Sequence, residues 1–284
     1  GTCSGASLFF KTKETKAHSC AHTSLMPRYI KDFLAIYLCS SILAFSSCTN
    51  ADDTSTRFGS DATGGTDSLS LRVAVLPIKE CDILRHAQES GLASGMGLDM
   101  TLVPYDAMMD MDTAVLSGMA HVYFEDSLRI CRIKADTIRP LMLLPIPVEL
   151  KLISNKDKGI EDVNGLKTNM VGLARWSQSE QWMNAITDSN GMEDMDVYYA
   201  QINSIPLRFS MVNEGLIDAG ILPQPWADSL LSLGHNTLRD TILCGMGFFI
   251  SPDAQKDSIR QKQALLLKKV YLEALKQTTD TITP

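Results

Sequence analysis

The chain divides at Pro140-Leu-Met-Leu-Leu-Pro-Ile-Pro-Val-Glu-Leu-Lys-Leu-Ile-Ser154. This stretch is long and apolar, and it cannot form a regular helix because Pro145 and Pro147 interrupt it. On both sides of it, short apolar strands alternate with helical patterns. We therefore predict that the stretch crosses from one α/β lobe to another, and that the chain returns to the first lobe through Thr241–Ile250.

The half that precedes this stretch has the pattern of three strands and two helices. Strands are predicted at Leu71–Pro77, Leu98–Pro104 and His121–Phe124, and helices at Asp82–Ser90 and Asp110–Ser117. Alternating strands and helices of this length predict a parallel sheet with helices on its faces.

The half that follows repeats the pattern. Strands are predicted at 169–174, 197–202 and 217–222, with helices beginning near Ser177 and Pro206 and a long amphipathic helix at Ile259–Lys276. Ser177-Gln-Ser-Glu180 is a capping-box sequence, which predicts reciprocal hydrogen bonds at a helix N terminus. We assign residues 70–148 and 245–284 to the first lobe, and residues 149–244 to the second.

The composition excludes several classes of protein. Of the 284 residues, 45% are hydrophobic and 21% are charged, close to the averages for globular domains. The net charge of −7 argues against nucleic acid as a partner. Seven scattered cysteines do not form a disulfide scaffold. His86, His121 and His235 lie far apart and no zinc-binding spacing occurs, so no metal or cofactor is predicted.

The N-terminal part has the pattern of an export signal. From Met26 it shows a basic start, an apolar run at Phe33–Phe45 and small residues before Cys48. The apolar run is shorter than the roughly 20 residues of a membrane span, and a buried core helix is the alternative. The ending resembles a bacterial lipoprotein processing site, although Phe45 departs from that pattern. We predict that 26–47 is a lipoprotein signal peptide, that Cys48 carries a lipid anchor to the membrane, and that 48–69 is a flexible tether; residues 1–25 are treated as upstream sequence.

Several stretches resemble periplasmic solute-binding proteins of ABC importers, in the family that binds nitrate, aliphatic sulfonates, taurine and thiamine precursors. The matching stretches are Leu71–Pro77, Glu89–Leu92, Gly97–Pro104, Thr113–Gly118 and Ile205–Ala227. The last is the most specific, because it joins a Gly-x-x-Asp-Ala turn to a strand that ends in Pro223-Gln-Pro-Trp226. The similarity covers most of residues 71–250. Gln224 replaces the glutamate that is common in the family, and Gly118-Met-Ala-His121 lacks the usual Asp-Ala.

The resemblance implies a bilobed type II periplasmic-binding-protein fold with two hinge crossings. It also implies a protein without enzymatic activity that captures a small molecule between its lobes and delivers it to an ABC permease. We expect it to be a monomer in the cell envelope. Two alternatives are an enzyme of the same fold, similar to those of the menaquinone or pyrimidine pathways, and a ligand sensor without a transport role.

In such a fold the ligand lies between the lobes, outside the carboxyl ends of the strands. The predicted ligand contacts at these ends are Lys79, Cys81, Tyr105, Glu125, Asp126 and Ser127 in the first lobe, and Arg175, Trp176, Ser177, Gln201, Asn203 and Gln224 in the second. Arg175-Trp-Ser177 has the greatest weight, because a helix N terminus attracts anions and the two side chains add charge and a flat surface for stacking. The alternative is a capped helix with an arginine on the surface.

The charge of the ligand stays open at the level of the sequence. Glu125 and Asp126 fit a cationic ligand, an ion pair with Arg175 across a closed cleft, or a solvated loop equally well. Arg208 is expected to lie on the surface of its helix. The substitution Arg175→Ala is expected to weaken ligand binding strongly and to change folding little.

Overall fold

The computed structural model describes residues 69–131, 139–193, 195–243 and 245–280. The predicted signal peptide, Cys48 and nearly all of the predicted tether lie outside the described residues, as does Cys244. Within the described part of the chain, no helix is both long and apolar enough to cross a bilayer.

The described residues form ten strands and eight helices. The strands are β1 (Leu71–Val75), β2 (Met100–Pro104), β3 (Val122–Asp126), β4 (Leu141–Pro145), β5 (Val148–Ser154), β6 (Met170–Leu173), β7 (Tyr198–Gln201), β8 (Ala219–Pro223), β9 (Asn236–Leu243) and β10 (Met246–Ile250). The helices are α1 (Lys79–Glu89), α2 (Leu92–Gly95), α3 (Met108–Leu116), α4 (Ser127–Ile130), α5 (Gln178–Ser189), α6 (Ile205–Asn213), α7 (Trp226–Ser232) and α8 (Ser258–Asp280).

The strands form two sheets of five, with the orders β2-β1-β3-β10-β4 and β7-β6-β8-β5-β9. The first three strands of each order are parallel to one another. However, β10 and β5 run antiparallel to both of their neighbours. The sheets are therefore mixed and not parallel as the sequence pattern predicts. In each sheet the reversed strand is the first one after the chain crosses from the other lobe. It begins at the side of the sheet where the carboxyl ends of the parallel strands lie, and it therefore runs in the opposite direction to them.

The first crossing is much shorter than its sequence pattern predicts. Most of Pro140–Ser154 belongs to β4 and β5, which lie in different sheets, and only Ile146 and Pro147 connect them. Pro145 is the last residue of β4, an edge strand, where a missing N–H group is tolerated. The return crossing between β9 and β10 lies beside it, because the Ile146 amide donates to the Met246 carbonyl at 2.9 Å.

The C-terminal helix packs on the first sheet. Tyr271 of α8 contacts Phe248 of β10 with ring centroids 5.6 Å apart, and Phe248 contacts Phe124 of β3 at 5.2 Å. All three side chains are buried. The chain thus leaves the first sheet after β4, builds the second sheet, and returns to complete the core of the first.

Candidate functional site: the cleft between the two lobes

A cavity lies between the two sheets. Its polar lining consists of Asp126 from the first lobe and Ser177, Ser179, Asn203 and Arg208 from the second, and its apolar lining includes Leu76, Ile78, Met108, Ala174, Ile205, Pro223 and Met246. Many of these residues follow the carboxyl ends of the central strands β1, β3, β6 and β8, which is where open α/β sheets bind ligands. The free volume of the cavity is about 40 Å³, which is room for roughly three waters.

Among the described residues that line the cavity, Arg208 is the one with a positive charge. Its side chain is 5% exposed, and one guanidinium nitrogen, Nη1, donates to the Ile202 carbonyl at 2.5 Å. The buried Nε atom has no hydrogen-bond partner. Burial lowers the pKa of the guanidinium to about 10, and no carboxylate of the described chain offsets this effect. The group stays protonated at neutral pH, so the cavity contains a buried cation without a counter-ion.

Two glycines make room for Arg208. Gly172 of β6 and Gly220 of β8 are paired in adjacent strands. A Cβ atom on Gly172 would lie 3.3 Å from Arg208 Cγ, and one on Gly220 would lie 3.5 Å from the same atom. The aliphatic part of the arginine side chain therefore lies against the face of the second sheet, at the place where these two glycines have no side chain.

The remaining polar groups of the second lobe supply further hydrogen-bonding atoms. The Asn203 Nδ2 atom contacts Met109 Sδ of the first lobe at 3.4 Å, while its buried Oδ1 has no partner. The Ser177 hydroxyl donates to the Ala174 carbonyl at 2.6 Å and lies 2.6 Å from the Ser179 hydroxyl. The residues that line the cavity therefore carry an unpaired guanidinium N–H, an unpaired amide oxygen and two hydroxyl groups.

Asp126, at the end of β3, forms hydrogen bonds across the cleft. Its Oδ2 accepts from the Gln178 amide at 2.6 Å, and its Oδ1 accepts from Gln178 Nε2 at 2.9 Å and from the Leu128 amide at 2.8 Å. The side chain is 1% exposed. Ser127 lies at the edge of this contact, with its Oγ 3.5 Å from Gln178 Nε2. Asp126 is thus a buried connection between the lobes. Of the alternatives for Glu125 and Asp126, the solvated loop does not form, and Arg175 pairs with Glu180 instead of with them.

Glu125 belongs to a buried charged cluster behind Asp126. Its Oε1 lies 3.2 Å from Arg129 Nε and accepts from the Asp126 amide, while its Oε2 has no hydrogen-bond partner. Arg129 also pairs with Asp112. Burial raises the pKa of Glu125 to about 8, and the nearby Arg129 offsets this rise only in part. Glu125 faces this cluster and does not line the cavity.

Arg175 and Trp176, the ligand contacts predicted with the greatest weight, do not line the cavity either. Arg175 Nε is paired with Glu180 at 3.0 Å, and its side chain lies at an outer depression of the second lobe. Trp176 is 50% exposed and has a left-handed backbone, with φ of 59°. Its amide donates to Glu180 Oε2. The predicted capping box is altered, since Glu180 reaches back to Trp176 and the Ser177 hydroxyl makes no cap bond.

The other predicted contacts lie at the cleft mouth, in the core of the first lobe, or at strand ends that are partly or fully exposed. Lys79 and Gln224 meet across the cleft mouth, with their side chains 3.2 Å apart and the Lys79 amide donating to the Gln224 carbonyl at 3.0 Å. Cys81 is 1% exposed within the core of the first lobe, and burial raises the pKa of its thiol. Tyr105 is half-buried beside β1, and Gln201 is exposed at the end of β7.

No histidine of the described chain lines the cavity. In the same part of the chain, no cluster of three or more His, Cys, Asp or Glu side chains is arranged to hold a metal ion. The residues missed by sequence reasoning are Arg208, Gln178 and Ser179. A pattern does mark Arg208, since Ile205, Arg208 and Val212 are all buried in α6 and have the i, i+3, i+7 spacing of one helix face.

No protein-family model matches the chain, and no curated protein sequence matches it. Solved structures do match. The alkanesulfonate-binding protein SsuA of Xanthomonas axonopodis pv. citri, bound to MOPS, has a TM-score of 0.58 and 15% identity over 74% of each chain. PhnD1 of Prochlorococcus marinus (MIT 9301), in complex with methylphosphonate, has a TM-score of 0.54 and 16% identity over 71% of this chain and 83% of its own.

A third match is a protein of Candida albicans. The CA3427 gene product of Candida albicans, described as having the generic periplasmic binding protein fold, has a TM-score of 0.58 and 14% identity over 75% of this chain and 72% of its own. At such identities the likeness concerns the fold alone. Together with the two mixed sheets and their paired crossings, it shows that this chain has the bilobed periplasmic-binding-protein fold.

Proposed function

We propose that the protein captures a small oxyanion, such as an organic sulfonate or phosphonate, in the cleft between its lobes and delivers it to an ABC permease. The observation that carries this proposal is the buried guanidinium of Arg208, which has no counter-ion and whose Nε atom has no hydrogen-bond partner. The fold alone leaves the charge of the ligand open, and Arg208 is the feature of this chain that favours an anion.

The physical argument concerns the energy of a buried charge. Moving a cation from water into a protein interior without a counter-ion costs roughly several kcal/mol, even after the surrounding protein has relaxed. An anion that enters the cavity would recover much of this cost, because a charge-assisted hydrogen bond in a dry site is strong. The Asn203 oxygen adds an acceptor for a ligand hydroxyl or amino group, so it can contribute to specificity.

The ligands of similar structures support the same class of solute. The SsuA structure contains MOPS and the PhnD1 structure contains methylphosphonate, which are a sulfonate and a phosphonate. The free space in the cavity suits only a small group in the present closed arrangement. A larger solute requires the lobes to separate first, and two short crossings allow the hinge motion by which such lobes open and close.

The location follows from the sequence prediction for the N-terminal part. We infer that the signal peptide 26–47 directs export and that a lipid on Cys48 holds the protein at the membrane of the cell envelope. A protein so anchored can present a captured solute to a permease in the same membrane. The lobe boundaries at 148/149 and 244/245 and the monomeric state belong to the same proposal.

The test compares two arginine substitutions that change the net charge equally. Arg208→Met removes the cation in the cavity, while Arg175→Ala removes the cation at the outer depression. Calorimetric titration with methylphosphonate and methanesulfonate should show binding by the parent and by Arg175→Ala. The Arg208→Met variant should bind about tenfold to a hundredfold more weakly, because a charge-assisted hydrogen bond is lost.

Thermal unfolding without solute separates a binding role from a structural one. Arg208→Met replaces an unpaired buried charge by an apolar side chain of similar length, so its Tm should equal or exceed that of the parent. A fall in Tm for this variant would mean that the bond to the Ile202 carbonyl holds the second lobe together. Equal affinity in parent and Arg208→Met would contradict the proposed site, and no binding by the parent would contradict the proposed solute class.

A further inference from the structure

Asp126 occupies a position that suits the oxyanion of a solute. α5 is a helix of 12 residues, and the free N–H groups of its first turn attract anions. The group that accepts from the first of these amides, that of Gln178, is the Asp126 carboxylate of the opposite lobe, at 2.6 Å. The same carboxylate lines the cavity that contains Arg208.

We propose that Asp126 is a built-in competitor of the solute: its carboxylate takes the oxyanion position at the N terminus of α5 and holds the two lobes closed when the cleft is empty. This inference rests on the proposed capture of an oxyanion. It makes Asp126 a residue that limits affinity, since a solute must displace the carboxylate or leave the α5 donors unused.

The unpaired atoms of the cavity are the second observation that supports the inference. Arg208 Nε is buried in the cavity without a partner, and so is Asn203 Oδ1. The second lobe therefore offers an anion both a guanidinium and a helix N terminus. Only the helix N terminus already has an anionic partner, and that partner comes from the protein itself.

Capping of α4 does not explain the contact. Asp126 is the N-cap of this helix through the bond from the Leu128 amide to Oδ1. Oδ2 takes no part in that cap and is directed to the Gln178 amide of the other lobe. A residue needed only as a cap has no reason to place its second oxygen 2.6 Å from the start of α5.

Other bonds across the cleft are consistent with closure without solute. The Ile205 amide donates to the Asp106 carbonyl at 2.9 Å, and Trp226 Nε1 donates to the Pro77 carbonyl at 2.6 Å. These two bonds join neutral groups. Two charged donors also reach across the cleft, Lys79 Nζ to Gln224 Oε1 at 3.2 Å and Arg129 Nη1 to the Arg175 carbonyl at 3.4 Å, but both bonds are longer than those of Asp126. The Asp126 bonds involve an ionised acceptor that is 1% exposed, and hydrogen bonds to a buried charge are stronger than neutral ones. Asp126 is therefore the contact whose removal should change closure most.

The test uses Asp126→Asn in the full exported chain. Asparagine caps helices as well as aspartate does, but it has one acceptor oxygen in place of two and no charge. It cannot cap α4 and bridge to Gln178 at full strength. Small-angle X-ray scattering without solute should give a larger radius of gyration for the variant than for the parent. Calorimetry with methylphosphonate and methanesulfonate should give a dissociation constant that is lower by about tenfold.

Two further variants make the result specific. Asp240→Asn changes the net charge equally at an exposed position of β9, so it should leave both the radius and the dissociation constants at parent values. Gln178→Ala removes the 2.9 Å bond and keeps the backbone donor, so it should shift both quantities in the direction of Asp126→Asn. It also provides a test should Asp126→Asn fail to fold.

The outcomes separate this inference from the proposed function. If the parent binds an anion and the variants show no gain in affinity, Asp126 is a structural contact and the inference is wrong. If Asp126→Asn binds and the parent does not, the competitor role holds and the proposed capture by the unmodified cleft is wrong. If neither protein binds either anion, both ideas fail. An unchanged radius of gyration in both variants would also overturn the closing role.

Discussion

Glu125 shows how one buried side chain makes stability depend on pH. It is fully buried beside Arg129, which also pairs with Asp112, so two carboxylates share one guanidinium. Burial raises the pKa of Glu125 from its ordinary value of 4.5 to about 8. Between these values the folded protein holds a proton that the unfolded chain has lost. The stability contributed by protonated Glu125 is therefore complete below pH 4.5 and declines as pH rises through 8.

We predict that Glu125→Gln flattens this dependence. The amide is neutral at every pH and has nearly the same shape, so the variant lacks the cost of ionising residue 125 inside the fold. Thermal unfolding between pH 5 and 8.5 should show a steeper fall in Tm for the parent than for the variant. Glu161→Gln, at an exposed glutamate, should follow the parent. Parallel curves for parent and Glu125→Gln would contradict the prediction.

At the scale of the residue, position at a strand end identified part of the cavity lining, and whether those residues bind a ligand stays a prediction. Asp126, Ser177 and Asn203 were predicted at strand ends and do line the cavity. Arg175 was predicted there too, but Glu180 five residues later pairs with it and holds it outside. Such a local pairing cannot be separated from a ligand contact by strand-end position alone. Arg208 was missed because an arginine in a helix was expected on its surface.

At the scale of the element, the pair of glycines in β6 and β8 was the signal that could have located Arg208. A glycine inside a buried strand weakens it unless another group must approach closely. Gly172 and Gly220 lie in the middle of apolar strands and face the stem of the arginine. The sequence displays both glycines, but only the register of the sheet places them side by side.

We predict that Gly172→Ala weakens both folding and anion binding. The new Cβ atom would lie 2.6 Å from Ile217 Cδ1 and 3.3 Å from Arg208 Cγ, and Ile217 is 1% exposed, so little space is free. Overpacking of this kind costs about 1–3 kcal/mol of the free energy of unfolding. Urea unfolding and calorimetry with methylphosphonate measure the two effects.

Gly95→Ala in α2 is the matched control for this substitution. A Cβ atom on Gly95 meets nothing within 4 Å, so its free energy of unfolding should change by no more than about 0.5 kcal/mol. If Gly172→Ala gave the same results as Gly95→Ala in both measurements, the second sheet would accommodate the added methyl group without cost. The position of the Arg208 side chain would then not depend on the glycine pair.

At the scale of the whole molecule, the sequence predicted two α/β lobes and the order of most elements. It did so because strand and helix periodicities are local and prolines interrupt them visibly. It did not predict the reversed strands β5 and β10. Their direction depends on whether the crossing enters each sheet at the amino or the carboxyl ends of the other strands, and a local sequence pattern does not contain this information. The closed cleft could not be predicted from the sequence either, because the bonds that close it, such as that from Gln178 to Asp126, join residues 52 positions apart.

The last prediction concerns how the whole molecule is held at the membrane. If Cys48 is the lipidated residue, Cys48→Ser should abolish acyl labelling, because a hydroxyl cannot form the thioether to the lipid. The protein should then leave the membrane fraction or accumulate as an uncleaved precursor. Stable anchoring requires about two acyl chains, as a single chain gives only marginal binding. Cys131→Ser removes a thiol that is exposed at the end of α4, so its labelling and membrane association should equal those of the parent. Labelling of Cys48→Ser at the parent level would place the lipid on another residue and contradict the assignment of Cys48 as the anchor.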